Sequence, residues 1–458
     1  MRTLFLCLLL GFAAPAAAQN PPQRAAPAPK EPAPKPLSYD DAEILVRAYG
    51  GADTWTLKAM VLLSLGTDFP PNGAGIVTQA LRDKDDRLAP HAVELLLRMP
   101  PEAAKEIATP ELVGELVERT AKVKHKLLRA RALEALALLL PDVQAKDQRE
   151  WLAWWTGAKK TYAPLEWVPP PKPKVEDEYK TTATVFVERA FDLRDAGLDV
   201  AIVIDSTGSM QVAIDTARDA VADVVTLLAN IAPKLRLGLV EYKELGEIAD
   251  GAQVLVPLTR GEKAVQDRLA RLVASGGGDM PERVEKGIEA ALSQEMGWNK
   301  DANRLILVIG DAPPHAGTLP PLLELVKRAH DEPFAKAPKP GKPDAPRTGG
   351  AARAREKEED LRPFITSTIY TSAEARTPFE EIAKAGGGAA VHLALGRKGG
   401  GAARPAGDEP AKASAANAAD PAVRTIVEHI MLLSFGQEHR ARLALFVRTF
   451  FEYLDGEK

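Results

Sequence analysis

Three short polar clusters hold the residue types from which a binding centre could be built. Residues 205–209 (DSTGS) set a carboxylate and two hydroxyls, Asp205, Thr207 and Ser209, at alternate positions. Residues 276–282 (GGGDMPE) add Asp279 and Glu282, and Asp311 stands directly after the apolar run RLILVIG. Every donor is oxygen, with no cysteine and no ordered histidine cluster beside them, and an all-oxygen set selects a hard divalent cation: Mg²⁺, Mn²⁺ or Ca²⁺. Gly208 and Gly276, Gly277 and Gly278 leave the backbone free to turn tightly around an ion. A plainer reading of the same residues is also open, in which Asp205 and Ser209 cap a following helix and Asp311 begins a turn. His315, four residues after Asp311 and next to Pro313 and Pro314, reads as a rim hydrogen bonder.

The elements that must position these clusters are strands. Residues 198–205, 235–242, 304–311, 364–370 and 389–395 are short, β-branched and nearly continuously apolar, the signature of strands buried on both faces of a parallel sheet. Helical patterns at 212–229, 262–273, 282–293, 319–330 and 377–385 separate most of them, which predicts a doubly wound α/β fold with a mostly parallel sheet. The link before 253–258 is too short for a helix, so that run is expected to be an antiparallel edge strand. Two clusters follow strands directly and the third opens a helix, so all three fall at the carboxyl ends of the strands. Open α/β sheets place their functional crevice there.

On these residues, the stretch from about 198 to 395 resembles a von Willebrand factor A (vWA) domain of Rossmann-like architecture. The DxTxS run is similar to that family's metal-ion-dependent adhesion site (MIDAS), with Thr207 keeping a hydroxyl in the middle position. Many such domains take a Thr from the second loop, and residues 272–285 contain none. DMPE (279–282) instead resembles the D-x-P-E loop of integrin β subunits, which implies that Glu282 is the second-loop ligand. Asp311 is then the third-loop ligand, and Asp279 a possible secondary ligand serving a neighbouring metal. The resemblance implies a metal-dependent adhesion or interaction module in which the cation captures an Asp or Glu carboxylate of a partner protein. Two other functions stay open: a hydrolase or phosphotransferase using the same cation, and a scaffold whose metal is purely structural. Against an enzyme, the chain has no GxSxG elbow, GxxxxGK[ST] loop or HExxH helix.

The rest of the chain frames that domain. Its 458 residues carry 59 Lys+Arg against 63 Asp+Glu, a net charge of −4, and so near-neutral a balance argues against a general nucleic-acid binder. The single cysteine, Cys7, excludes a disulfide scaffold. Arg2, the apolar run 4–12 and Ala16-Ala17-Ala18 fit a cleavable signal peptide over 1–18, which predicts a secreted or periplasmic protein, and no later apolar run is long enough to span a bilayer. Residues 19–37 and 166–181 read as Pro-rich linkers, flanking a helical region over 38–165. Within that region 87–97 and 127–137 are similar at an offset of 40, which looks like HEAT-type repeats, although a plain helical bundle fits nearly as well. Trp151 and Trp155 are expected to close its core. The vWA-like domain covers 182–395 with an insertion near 332–360. A linker over 396–420 then leads to helices over 421–458, packed on a domain.

Overall fold

The computed structural model describes residues 39–66, 69–163, 182–244, 246, 248–277, 281–331, 362–395 and 420–455. The expected signal peptide, the linkers over 19–37 and 166–181, most of the 396–420 linker, the 332–360 insertion and Asp279 lie outside the described residues.

An all-helical region comes first: α1 (Tyr39–Gly51), α2 (Trp55–Ser64), α3 (Ala74–Arg82), α4 (Leu88–Leu96), α5 (Pro101–Glu106), α6 (Pro110–Lys122), α7 (Lys126–Leu139) and α8 (Gln148–Ala158). Local chemistry sets several starts. The hydroxyls of Thr54 and Thr109 accept from Leu57 N and Leu112 N, Asp147 caps α8, and Pro110 occupies the first position of α6, where no amide hydrogen is needed. Nearly all of α2 is buried, which its sequence WTLKAMVLLS anticipates: a helix apolar around its whole circumference must be packed on every side. Trp151 is buried and Trp155 packs partly buried against the same core, as expected.

The sheet comprises β1 (Leu198–Asp205), β2 (Arg236–Tyr242), β3 (Ala252–Thr259), β4 (Asn303–Gly310), β5 (Phe364–Tyr370) and β6 (Gly387–His392), in the order β3-β2-β1-β4-β5-β6. All neighbours are parallel except β2 and β3, so the doubly wound fold and its antiparallel edge strand are both observed. The last strand lies slightly earlier than the apolar run 389–395 suggested. β1 and β4 are buried along their whole length, which explains why they read as unbroken apolar runs. Alternate side chains still feed opposite cores: Val200, Ile202 and Ile204 join one cluster, Ala201 and Val203 the other.

α9 (Thr182–Ala196) and α10 (Gln211–Ile231) cover the first face. α11 (Lys263–Arg271) packs on α10, and α12 (Val284–Leu292), α13 (Leu319–Asp331) and α14 (Arg376–Ala385) cover the second face. The C-terminal stretch is two helices with different duties. α15 (Pro421–Phe435) lies on α10 and the sheet, with Ile426 and Ile430 beside Val200, Ile202 and Leu307. α16 (Arg440–Asp455) returns to the helical region, where Phe446 and Phe450 stack on Trp55 at ring separations of 5.9 and 6.1 Å. The first-face core thereby runs without a break from α1 to α16, and the described residues all belong to one compact unit. Among the described residues no helix is long and apolar enough to cross a membrane.

Candidate metal centre

In this strand order the chain leaves β1 toward β2 on one side and reaches β4 on the other, so the crevice opens at the carboxyl ends of β1 and β4. Asp205 closes β1 in register with Tyr242 of β2, and its side chain is completely buried. Its Oδ1 accepts two hydrogen bonds from Thr207, from the backbone N at 2.8 Å and from the hydroxyl at 2.7 Å. Its Oδ2 has no hydrogen-bond partner. Burial pushes the Asp205 carboxyl up to about 7; the Thr207 bonds and nearby Lys243 oppose that shift and the charge of Asp311 adds to it.

The second loop is stitched onto the first. Ser275 N donates to Ser206 O at 3.1 Å, Gly208 N donates to Gly276 O at 3.1 Å, and Lys243 Nζ reaches Ser275 O at 2.8 Å and its hydroxyl at 2.9 Å. Gly276 and Gly277 have φ of 71° and 75°, the left-handed region that favours glycine. A Cβ at Gly277 would stand 2.9 Å from Thr207 Cβ and 3.6 Å from Glu282 Oε1, so Thr207 and Glu282 meet at this one residue. Glu282 is buried, and it is not inside a helix as its place at the head of 282–293 suggested. Its N donates to Pro313 O at 3.0 Å and it bridges to Pro314, which fastens the second loop to the third before α12 begins at Val284. Asp311 is half-buried at the end of β4, and Ser372 donates its hydroxyl to the Asp311 carbonyl. Ser209 is exposed in the single 3₁₀ turn that leads into α10.

Thr207 thus bonds Asp205 and shares the neighbourhood of Gly277 with Glu282, and Asp205 and Asp311 are close enough to interact electrostatically. His315 contacts Glu244 at 3.1 Å, at the rim as expected. Sequence reasoning missed two residues at the end of β2. Tyr242 is fully buried with an unpartnered hydroxyl, held far above its ordinary value by burial and then by Asp205, Asp311, Glu282 and Glu285 together. Lys243 is the cation next to Asp205. Their position at a strand's carboxyl end was the only signal.

Among the described residues no three Asp, Glu, His or Cys side chains close on one point as a cage of their own. A cation here would therefore need the hydroxyls of Thr207 and Ser209 beside the carboxylates. The donor set fits one: a buried carboxylate oxygen without a partner, further carboxylates held close to it, and neutral hydroxyls between them.

Residues 199–330 match the family model of the von Willebrand factor A domain, a span that contains Asp205, Thr207, Ser209, Glu282 and Asp311 and covers under a third of the chain. The chain carries a vWA domain there. Solved structures similar to it include the VWA domain of SpRpn10, at 15% identity and a TM-score of 0.31, covering 44% of this chain and 89% of that one. Another is the conserved hypothetical protein BatB from Bacteroides thetaiotaomicron, at 14% identity and a TM-score of 0.32, covering 52% of this chain and 99% of that one. A search of the curated proteins finds no match.

Proposed function

We propose that this is an exported interaction protein whose vWA domain binds an acidic residue of a partner protein through a divalent cation, Mg²⁺ or else Mn²⁺ or Ca²⁺. The vWA family often mediates metal-dependent protein interaction and generally serves as a binding module rather than an enzyme, which agrees with this reading. The observation that carries it is Asp205, buried at the crevice with Oδ1 held by Thr207 and Oδ2 left to accept. Thr207 and Ser209 would ligate as neutral hydroxyls, with Asp205, Glu282 and Asp311 as carboxylates, direct or through water. A cation held this way keeps much of its charge and offers a coordination position to a carboxylate from outside. The chain's own contribution is orientation. Thr207 fixes the Asp205 carboxylate, Gly277 admits Thr207 and Glu282 to the same space, and Lys243 holds the second loop. Export is supported by the leader-like pattern of residues 1–18.

The test uses immobilised peptides carrying a single Asp or Glu against otherwise identical Asn or Gln peptides. Retention of the full chain on an acidic peptide in Mg²⁺, its release by EDTA and its loss in Ser209→Ala are expected. Ser209 is exposed, so this variant leaves the core alone. Retention that ignores both chelator and substitution would overturn the proposal.

A further inference from the structure

A second cavity, of about 650 Å³, opens in the helical region against α16, and none of its lining residues belongs to the sheet. That size suits a small organic ligand. Its wall carries four Lys or Arg side chains and one carboxylate: Arg119 engages Asp86 at 3.2 Å, while Arg87 and Lys122 pair beyond the lining with Asp85 at 2.6 Å and Glu118 at 2.8 Å. Lys124 is solvent-exposed at the mouth.

Three lining residues carry a buried polar atom without a hydrogen-bond partner: the Thr449 hydroxyl, His125 Nε2 and His91 Nε2. His91 Nδ1 donates to Arg87 O at 2.8 Å, which leaves its Nε2 an acceptor, so the donors are the other two. Thr449 of α16 is completely buried, and its hydroxyl bonds to nothing. A helical Thr ordinarily turns its hydroxyl onto the carbonyl four residues back. Thr78, Thr216 and Thr425 each do so in this protein, at 2.9, 2.7 and 2.8 Å. Thr449 forgoes that bond while lining the cavity. His125 is the second donor. Its Nδ1 accepts from Leu128 N at 3.2 Å to cap α7, so the ring proton sits on Nε2, and Nε2 is buried with no acceptor. An unpartnered buried donor is costly, and two in one cation-rich wall define an acceptor that the chain itself does not supply. Beside them the Tyr453 ring stands 5.2 Å from the His125 ring, and Phe450 and Leu128 complete an apolar side.

We propose that this cavity binds a small organic anion: a carboxylate or phosphate group on an aromatic or other apolar body. Thr449 Oγ1 and His125 Nε2 donate to the anionic head, Arg119 and Lys124 balance its charge, and Phe450, Tyr453 and Leu128 pack the body. The site is independent of the cation centre and of the function proposed for it.

The test titrates the full chain by calorimetry with phenyl phosphate, phenylacetate, and neutral phenylacetamide. At least one anion is expected to bind, the tighter of the two identifying the head group, and phenylacetamide is expected not to. Thr449→Val keeps the side chain's volume and removes the orphan hydroxyl. It is expected to melt no lower than the native chain while weakening the anion by about tenfold. Lys124→Gln, on the surface, is expected to lower the affinity and its salt dependence. Absence of heat with either anion at millimolar concentration would overturn the proposal, as would equal binding of the amide or unchanged binding in both variants.

Discussion

Asp205 holds the tension of the candidate centre in one side chain. Its folded carboxyl sits near 7 against an unfolded value near 3.8, because burial disfavours its charge. The sign follows from linkage: the folded state takes up a proton first, so the charge costs stability above the unfolded value, and the cost reaches its full size above about pH 7. Asp205→Asn keeps an acceptor for both Thr207 donors while deleting that charge. Its amide NH₂ stands where Oδ2 has no partner and carries a burial cost of its own, so the pH profile is the test. Without added metal, the variant is expected to lose less stability than the native chain between about pH 4 and about pH 7 in urea titrations, and to abolish any gain from Mg²⁺. An unchanged pH profile in metal-free buffer would contradict the burial argument. His429 runs the other way. It is buried under β5 with Nε2 2.9 Å from the Ser367 hydroxyl, and burial, helped by Arg440, lowers its ring to about 4. Its contribution to stability is therefore lost as pH falls from about 6.5 toward 4, since the unfolded ring protonates first. The ring resonances of His429 are expected to titrate near 4 by NMR, and a midpoint near 6.5 would show the ring to be solvated.

Among the elements, the glycine loop between α11 and α12 decides whether the donors meet. Gly277→Ala puts a methyl on a backbone with φ of 75° and within 2.9 Å of Thr207 Cβ. It is expected to cost about 1 kcal/mol of stability or more and to weaken Mg²⁺ binding beyond that, because Thr207 must move. Unchanged metal affinity in this variant would mean that Thr207 is not a ligand. The strands were legible because a strand buried on both faces must be apolar at every position, as β1 and β4 are. Asp205 and Asp311 were legible as polar residues directly after such runs. Glu282 was singled out by its DMPE loop, but its setting was not visible: its bond to Pro313 and bridge to Pro314 join residues about thirty positions apart, and no local pattern encodes that. Tyr242 and Lys243 were missed for the same reason, since β2 meets the site only through the register that sets Asp205 beside Tyr242. The C-terminal stretch read as helical from its spacing. The division of labour between α15 on the sheet and α16 on Trp55 is a tertiary fact.

For the molecule as a whole, one apolar core joins the helical region, the first face of the sheet and the two C-terminal helices. Elements that share a core lose it together, so thermal unfolding is expected to give one calorimetric transition whose van't Hoff and calorimetric enthalpies agree. Two resolved transitions would show that α16 does not couple the layers. The central claim is that the three loops at the sheet's carboxyl edge hold a divalent cation through Asp205, Thr207, Ser209, Glu282 and Asp311. Isothermal titration of the metal-free full chain with Mg²⁺, Mn²⁺ and Ca²⁺ tests it most directly. The expected result is a single site for at least one of these ions, lost in Ser209→Ala and in Asp205→Asn with both variants still folded; no binding of any of the three, or binding that survives both substitutions, would contradict it.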